Sequence, residues 1–481
     1  MGGTGGRALM PPTVRPPWDK GDVRAGARAD GGWGIIMEFT AQLDVDVVAL
    51  EAEDEVTCLV SLTAPVPEEV ADRPGESLIA VVDRSGSMSG GPIEAVRTAL
   101  HQLVDRLKPQ DRFGVVIFDD QAHVQVPTRA MADHETATVH ALVEGIAPHG
   151  TTDLSAGYLL GLSEARRHAT ETGASVLLLS DGHANRGITD PAQLGPVAAQ
   201  ARAEGITTTT IGIGQGYDEV LLAELATQGS GGHRFAFTDD DAIAVVSEEA
   251  GDLLSKSILN AVARICPSDP AMVDRIGTLH DVPRWIEADA EGLKHLVVPL
   301  GDLYAGEERQ LLLHFPVPAL ASLGLHELAR VSIEYVAMPD LLQQAVAWPV
   351  MVNVVPGDEA AGRVPNPTVT SARLLAETTK VKREASQALS EGDVDKAVGL
   401  MQAQATSVSD FLDQISPTVP GAAPIRERLT EEAEQLQRLA TGAQERDRML
   451  AMKSMAEDIN LTSRGRDDKE RRTRNRTKRE F

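Results

Sequence analysis

The sequence predicts an α/β protein: a doubly wound, mostly parallel sheet inserted in or flanked by a β-sandwich, with a C-terminal α-helical region. Three observations predict it. Strand-like and helix-like stretches alternate from Ser77 to about Lys256, with unbroken apolar runs such as Val115-Val116-Ile117-Phe118 and Val176-Leu177-Leu178-Leu179. Such runs fit strands buried on both faces, as in a parallel sheet covered by helices. Short strand-like segments with Gly and Pro turns flank that block. From Thr368 to Asn460 the chain is rich in Ala, Glu, Gln, Leu and Arg.

The elements follow in order. Residues 1–36 are rich in Gly, Pro and Arg and lack the apolar centre of a signal peptide. They are expected to be a disordered leader, and Met37 is a candidate for the true start. Alternation in 38–67, as in Leu43-Asp44-Val45-Asp46-Val47, predicts two or three antiparallel strands that join the sandwich. A polar linker, 68–76, comes next. Between 77 and 255 strands are expected at 78–82, 113–118, 124–126, 175–179, 207–213 and 233–235. Helices are expected at 93–107, 135–143, 155–168, 191–203, 219–227 and 242–255. Only Asp119 to His123 separates 124–126 from the strand before it, too short for a crossover, so 124–126 is expected as an antiparallel edge strand. Between 257 and 355 the helical period fades, and 296–298, 310–315, 331–335 and 350–355 are expected as strands of a β-sandwich. Gly392-Asp393 predicts a helical hairpin early in 368–460, and the three prolines within 416–424 break it before one long helix. The tail, 464–481, carries nine Lys/Arg against four Asp/Glu and too few apolar residues to fold alone.

Composition narrows the function. The chain has 481 residues and a net charge of −26, which argues against nucleic acid or an anionic membrane as its main partner. A weak nucleic-acid contact by the basic tail is the one exception. No stretch approaches the ~18 apolar residues of a membrane span. With no export signal, the expected compartment is cytoplasmic. Cys58 and Cys266 cannot form a disulfide framework, and no Cys/His cluster has zinc spacing. Both are expected as core thiols.

The chemistry concentrates at Asp83-Arg84-Ser85-Gly86-Ser87, directly after the apolar run 78–82. A carboxylate and two hydroxyls therefore sit at the carboxyl end of a strand, where open α/β sheets bind ligands. All three groups offer oxygen, the chemistry that hard cations prefer. Gly150-Thr151-Thr152-Asp153 precedes a helix, and Ser180-Asp181-Gly182 ends the strand at 175–179. If 78–82 and 175–179 are neighbours at the point of strand-order reversal, Asp83, Ser85, Ser87, Thr151 and Asp181 surround one crevice.

This pattern, D-x-S-x-S, then Gly-Thr, then Asp-Gly after a strand, resembles the von Willebrand factor type A (VWA) domain over about residues 77–255. The wider layout resembles bacterial VWA proteins related to inter-α-trypsin inhibitor heavy chains. The resemblance implies a Rossmann-like fold and a metal-ion-dependent adhesion site. In that site Ser85 and Ser87 bind the cation directly, and Thr151 binds it directly or through water. Asp83 and Asp181 hold metal-bound waters. Thr152 is a second candidate for the threonine role, and His149 stands where many relatives have glycine. Neutral hydroxyl ligands leave Mg²⁺ (or Mn²⁺) electrophilic, with a position open for an Asp or Glu of a protein partner. The bland alternative is the same fold signature with no metal.

Three other readings are weighed against a metal-dependent scaffold or adaptor. Catalysis by Ser85, Asp181 and His183 lacks the G-x-S-x-G elbow, and His183 follows Asp181 too closely for a facing pair. Gly212-Ile213-Gly214-Gln215-Gly216 lacks dinucleotide-loop spacing, and no P-loop is present. The remaining alternative is a regulatory subunit of a MoxR/chelatase-type AAA+ ATPase system, in which such domains recur. A non-enzymatic interaction module is the expectation.

Overall fold

The computed structural model describes residues 37–66, 73–214, 216–279, 282–417, 421–444 and 448–463. The leader at 1–36 and the basic tail at 464–481 lie outside the described residues. Among the described residues no helix is long and apolar enough to cross a membrane.

The α/β block runs β4 (Ser77–Asp83), α1 (Gly91–Arg106), β5 (Arg112–Phe118), β6 (Ala122–Ala130), α2 (Thr136–Glu144), α3 (Leu154–His168), β7 (Ala174–Ser180), α4 (Pro191–Ala203), β8 (Ile206–Ile213), α5 (Glu219–Gln228), β9 (Ser230–Ala236) and α6 (Asp239–Leu253). Its six-stranded sheet has the order β6-β5-β4-β7-β8-β9. All neighbours are parallel except β6, which pairs antiparallel with β5 at the edge. The short loop before β6 leaves no other choice.

Alternate residues of β4 enter different cores. Leu78, Ala80 and Val82 pack with α1 and α6 on one face. Ile79 and Val81 pack with α3, α4 and α5 on the other. Burial on both sides is the reason these strands are continuous apolar runs, each Val, Leu or Ile contributing about 1.5–3 kcal/mol. The chain moves from β4 to β5 on one side and returns to β7 on the other. The reversal therefore falls between β4 and β7, paired from Leu78↔Ser175 to Val82↔Leu179.

Two further sheets lie outside this block. Before it come β1 (Glu38–Leu43), β2 (Val47–Ala49) and β3 (Asp54–Thr63). After it come β10 (Lys256–Pro267), β11 (Gly277–Thr278), β12 (Trp285–Ala288), β13 (Lys294–Tyr304), β14 (Glu308–Val317), β15 (Gly324–Ala337) and β16 (Leu342–Val355). They form the sheets β1-β3-β14-β11 and β12-β13-β10-β15-β16-β2. One core unites them: Phe39, Val60 and Leu62 from the first meet Ile258, Ile265, Val331 and Trp348 from the second. Segments on both sides of the α/β block thus share one pair of facing sheets. One detail differs from the expected antiparallel strands: β2 pairs parallel with the end of β16.

A four-residue helical turn, α7 (Gly357–Ala360), leads to α8 (Pro367–Ser390), α9 (Val394–Gln414), α10 (Ala422–Gln444) and α11 (Arg448–Ser463). The hairpin of α8 and α9 turns at Gly392 (φ 86°), a left-handed position that glycine adopts freely. Where a single long helix is expected after the proline-rich break, the described residues form α10 and α11, and 445–447 between them lie outside the described residues. Both reach one core, in which Leu436, Leu439 and Ala440 meet Ala451 and Met455. Val369, Ala372 and Ala376 of α8 pack on Leu59 and Leu312, so this region is anchored to the β-sheets. Then α11 crosses to the α/β block. Lys453 donates to the Tyr217 carbonyl (2.8 Å) and to Glu219 (3.1 Å), and its ammonium stands 3.6 Å from the Tyr217 ring centroid.

Candidate metal centre

Asp83 ends β4 and is fully buried. Its Oδ1 accepts from the Ser85 amide (2.8 Å), and its Oδ2 accepts from the Ser180 hydroxyl (2.7 Å). These two bonds fix the carboxylate at the strand end and bend the chain so that both serines face inward. Ser85 Oγ and Ser87 Oγ lie 3.0 Å apart, and Ser87 donates to Asp181 Oδ1 at 2.8 Å. Ser85 is buried, whereas Ser87 is exposed at the mouth. The strands carrying Asp83 and Asp181 are direct neighbours, as the position of strand reversal requires.

The two candidate threonines are placed differently. Thr151 is exposed, while Thr152 is buried. A methyl group added at Gly182 would lie 3.2 Å from Ser87 Oγ, 3.4 Å from Thr152 Oγ1 and 3.8 Å from Ser85 Oγ. Three hydroxyls therefore surround one small space, and Thr152 supplies the third. The backbone explains the choice. Gly150 takes φ 68°, and its carbonyl accepts from the Gly86 amide. The Thr152 carbonyl accepts from the amides of Asn185 and Arg186, and its own N–H donates to Asn185 Oδ1. Asp153 then caps α3 through the Ala156 amide. With Thr152 stitched on both sides to the loop after β7, its side chain turns to the cradle and that of Thr151 turns to solvent.

Electrostatics favour a cation here. Burial pushes the Asp83 carboxyl above its ordinary range despite its hydrogen bonds. Burial also raises Asp181 to about 6; the hydrogen bond from Ser87 opposes the rise and the Asp83 charge adds to it. Among the described residues no basic side chain forms an ion pair with either. Two buried carboxylates without a countercharge are costly. A divalent ion at the hydroxyls would neutralise them, and serine and threonine oxygens with two flanking carboxylates suit Mg²⁺ or Mn²⁺.

The other residues singled out from the sequence sit around this cradle. His149 is not directed into it: Nδ1 lies 3.0 Å from Asp119 Oδ2, which also pairs with Arg84 at 2.5 Å. Burial pushes Asp119 up, but bonds from the Gln121 amide and His149, with the Arg84 charge, bring it down to about 2. Asp119, Asp120 and His149 are grouped closely enough to hold an ion, yet Arg84 already balances Asp119. His183 stands 3.8 Å from Asp218 rather than beside a serine. The sequence reading gave Ser180 and Asp119 no role at the site. The place of Ser180 at the end of an apolar run, directly before Asp181, was the available signal.

The family model of the von Willebrand factor type A domain matches residues 77–249. The chain is 27% identical over 263 residues to sll0103 of Synechocystis, and 28% identical over 210 residues to inter-alpha-trypsin inhibitor heavy chain H4 of Homo sapiens. Those matches take in 54% and 42% of this chain, but only 61% and 22% of the two relatives. Among solved structures, a von Willebrand factor type A protein from Catenulispora acidiphila superposes with TM-score 0.63 at 19% identity, covering 78% of this chain and 87% of that one. An ArnB paralogue from Sulfolobus acidocaldarius does so with TM-score 0.60 at 15% identity, covering 89% and 99%. At such identities the likeness is one of fold, and it extends well beyond the α/β block.

Proposed function

We propose that the von Willebrand factor type A domain formed by residues 77–249 is a metal-dependent protein-interaction module that grips an acidic residue of its partner. Ser85, Ser87 and Thr152 hold a Mg²⁺ or Mn²⁺ ion through hydroxyl oxygens. Asp83 and Asp181 orient the serines and bind waters on the ion. Thr152 replaces Thr151 in this assignment. The observation that carries the reading is the cradle at Gly182, with three hydroxyl oxygens within 3.8 Å of one point and two buried, uncompensated carboxylates behind them.

Neutral direct ligands decide the chemistry. They leave the ion with its charge largely unquenched, and Mg²⁺ keeps exchangeable waters in an octahedral shell. A carboxylate from an Asp or Glu replaces one such water and forms a charge-assisted bridge. Ser87, exposed at the mouth, is where that carboxylate enters. The reading is non-enzymatic: among the described residues no imidazole is hydrogen-bonded to Ser85 or Ser87 to activate them as nucleophiles, and the geometry suits docking.

The test is affinity capture from native lysate with the full chain, in Mg²⁺ and in EDTA, beside a Ser85→Ala/Ser87→Ala variant. A partner is expected in Mg²⁺ with the wild type alone. Its capture should fail when the acidic residue it presents is changed to Asn or Gln. Capture indifferent to both EDTA and the serines contradicts the reading.

A further inference from the structure

A second set of metal-ligating side chains lies between α1 and α2, and none of it belongs to the cradle. His101 and Asp105 stand four residues apart on α1, and His140 and Glu144 four apart on α2. Each helix therefore presents an imidazole and a carboxylate on one face. The pairs bond crosswise. His101 Nε2 is 3.3 Å from Glu144 Oε2, and His140 Nε2 is 3.1 Å from Asp105 Oδ1. The two Nδ1 atoms then meet at 2.6 Å.

The tautomers follow from these partners. A carboxylate only accepts, so each Nε2 facing one carries hydrogen and donates it. In a neutral imidazole the opposite nitrogen is then a bare lone pair. Two lone pairs at 2.6 Å repel each other unless something positive stands between them.

We propose that a divalent transition metal of the Zn²⁺ class binds between His101 and His140 through their Nδ1 atoms. Glu144 and Asp105 hold the imidazoles in the required tautomer. Metal-bound histidines characteristically donate their second N–H to a carboxylate in this way. Imidazole ligands select Zn²⁺, Cu²⁺ or Ni²⁺ over Mg²⁺, so this site and the oxygen cradle sort cations by chemistry. With Zn–N near 2.0–2.1 Å, tetrahedral nitrogens stand about 3.3 Å apart, so the rings need to part by only about 0.7 Å. Both side chains are about 30% exposed, leaving room for that movement and for waters to complete the shell. The nearby cation, Arg97, lies 3.9 Å from Glu144 Oε1 and 3.0 Å from Glu94, which leaves Glu144 Oε2 to His101. A bound ion ties α2 to α1, the helix that follows the Ser85–Ser87 loop.

The experiment is calorimetric titration of the full chain with Zn²⁺ in excess Mg²⁺, which occupies the oxygen cradle. We expect one saturable Zn²⁺ in the wild type and in Ser85→Ala/Ser87→Ala. In His101→Gln/His140→Gln its affinity should fall by at least tenfold. Asp105→Ala/Glu144→Ala should retain the site with affinity weakened about 10–100-fold. Nitrogen-15 NMR of the wild type should show Zn²⁺ moving the His101 and His140 Nδ1 resonances. All positions are on helix surfaces, and unchanged melting temperatures confirm folding. Zn²⁺ binding unaffected by the double histidine variant overturns the proposal. So does the absence of saturable binding in the wild type, the result expected if the gap holds only a shared proton.

Discussion

Lys256 and Glu76 bracket the α/β domain in the chain, and their charged ends meet 3.6 Å apart at the end of β4 opposite Asp83. Asp302 of β13 completes the cluster, 3.1 Å from the Lys256 ammonium. Entry strand, exit strand and neighbouring β-sheet are thus joined where the chain passes between them. Burial lowers the Lys256 pKa, but Asp302 and Glu76 outweigh it, and the ammonium ends above its ordinary value. Burial in turn raises Glu76, against the Lys256 charge.

Lys256→Met would leave two buried carboxylates unpaired, at a cost of about 3–5 kcal/mol. Urea denaturation measures it. Adding Glu76→Gln and Asp302→Asn to the variant should recover much of the loss. A lysine variant within about 1 kcal/mol of the wild type would mean that the cluster does not clamp the junction.

His233 gives the protein an acid-side weakness. Burial, then the Lys453 and Arg234 charges, push its pKa down to about 3 from an ordinary 6.5. Between those values the unfolded chain binds a proton that the folded chain refuses, so this contribution is lost as pH falls below 6.5. From pH 7.5 to pH 5 the loss is about 2 kcal/mol. Wild type should therefore lose about that much more stability than His233→Gln over the same range. Equal losses would show that His233 protonates in the folded state.

Helix α11 guards a sheet edge. Asn460 Oδ1 accepts from the His233 amide at 2.8 Å, and Glu457 pairs with Arg234 at 3.2 Å, both on edge strand β9. Asn460→Ala should speed hydrogen exchange at the His233 amide about fivefold, the effect of roughly 1 kcal/mol of lost hydrogen bonding. Unchanged exchange would mean that the Asn460 bond does not protect the β9 edge.

Adjacent threonines should separate cleanly. Thr152→Ala is expected to weaken Mn²⁺ binding about tenfold or more, and Thr151→Ala to leave it unchanged. Gly182→Ala should weaken it too, because its methyl would stand 3.2 Å from Ser87 Oγ. Titrations monitored by Mn²⁺ EPR check all three. Loss in Thr151→Ala with retention in Thr152→Ala would reverse the assignment.

The sheet of the α/β domain was legible because burial on both faces writes itself as apolar runs, and β4, β5 and β7 are such runs, while β8 is fully buried but carries four consecutive threonines, a β-branched signal. Asp83, Ser85, Ser87 and Asp181 were legible because they sit at the ends of those strands. Strand β10 was not. It opens on Lys256, whose charge is buried by ion pairing, and it breaks its alternation with register shifts around Asn260, at φ 50°. Only 331–335 of β15 and 350–355, the final stretch of β16, were anticipated, since the first halves of both strands are more exposed. The choice between Thr151 and Thr152 was not legible, because spacing to a Gly-Thr pair says nothing of rotation. The bonds from Asn185 and Arg186 that turn Thr152 inward come from a loop more than thirty residues away.

The central claim is that three converging hydroxyls and two uncompensated carboxylates form a cation site. A Mn²⁺ titration by EPR on wild type and on Ser85→Ala/Ser87→Ala tests it most directly. The account predicts one Mn²⁺ at this site in the wild type, displaced by Mg²⁺, and its loss in a double variant that melts no lower than the wild type. Equal Mn²⁺ affinity in the two proteins would contradict it.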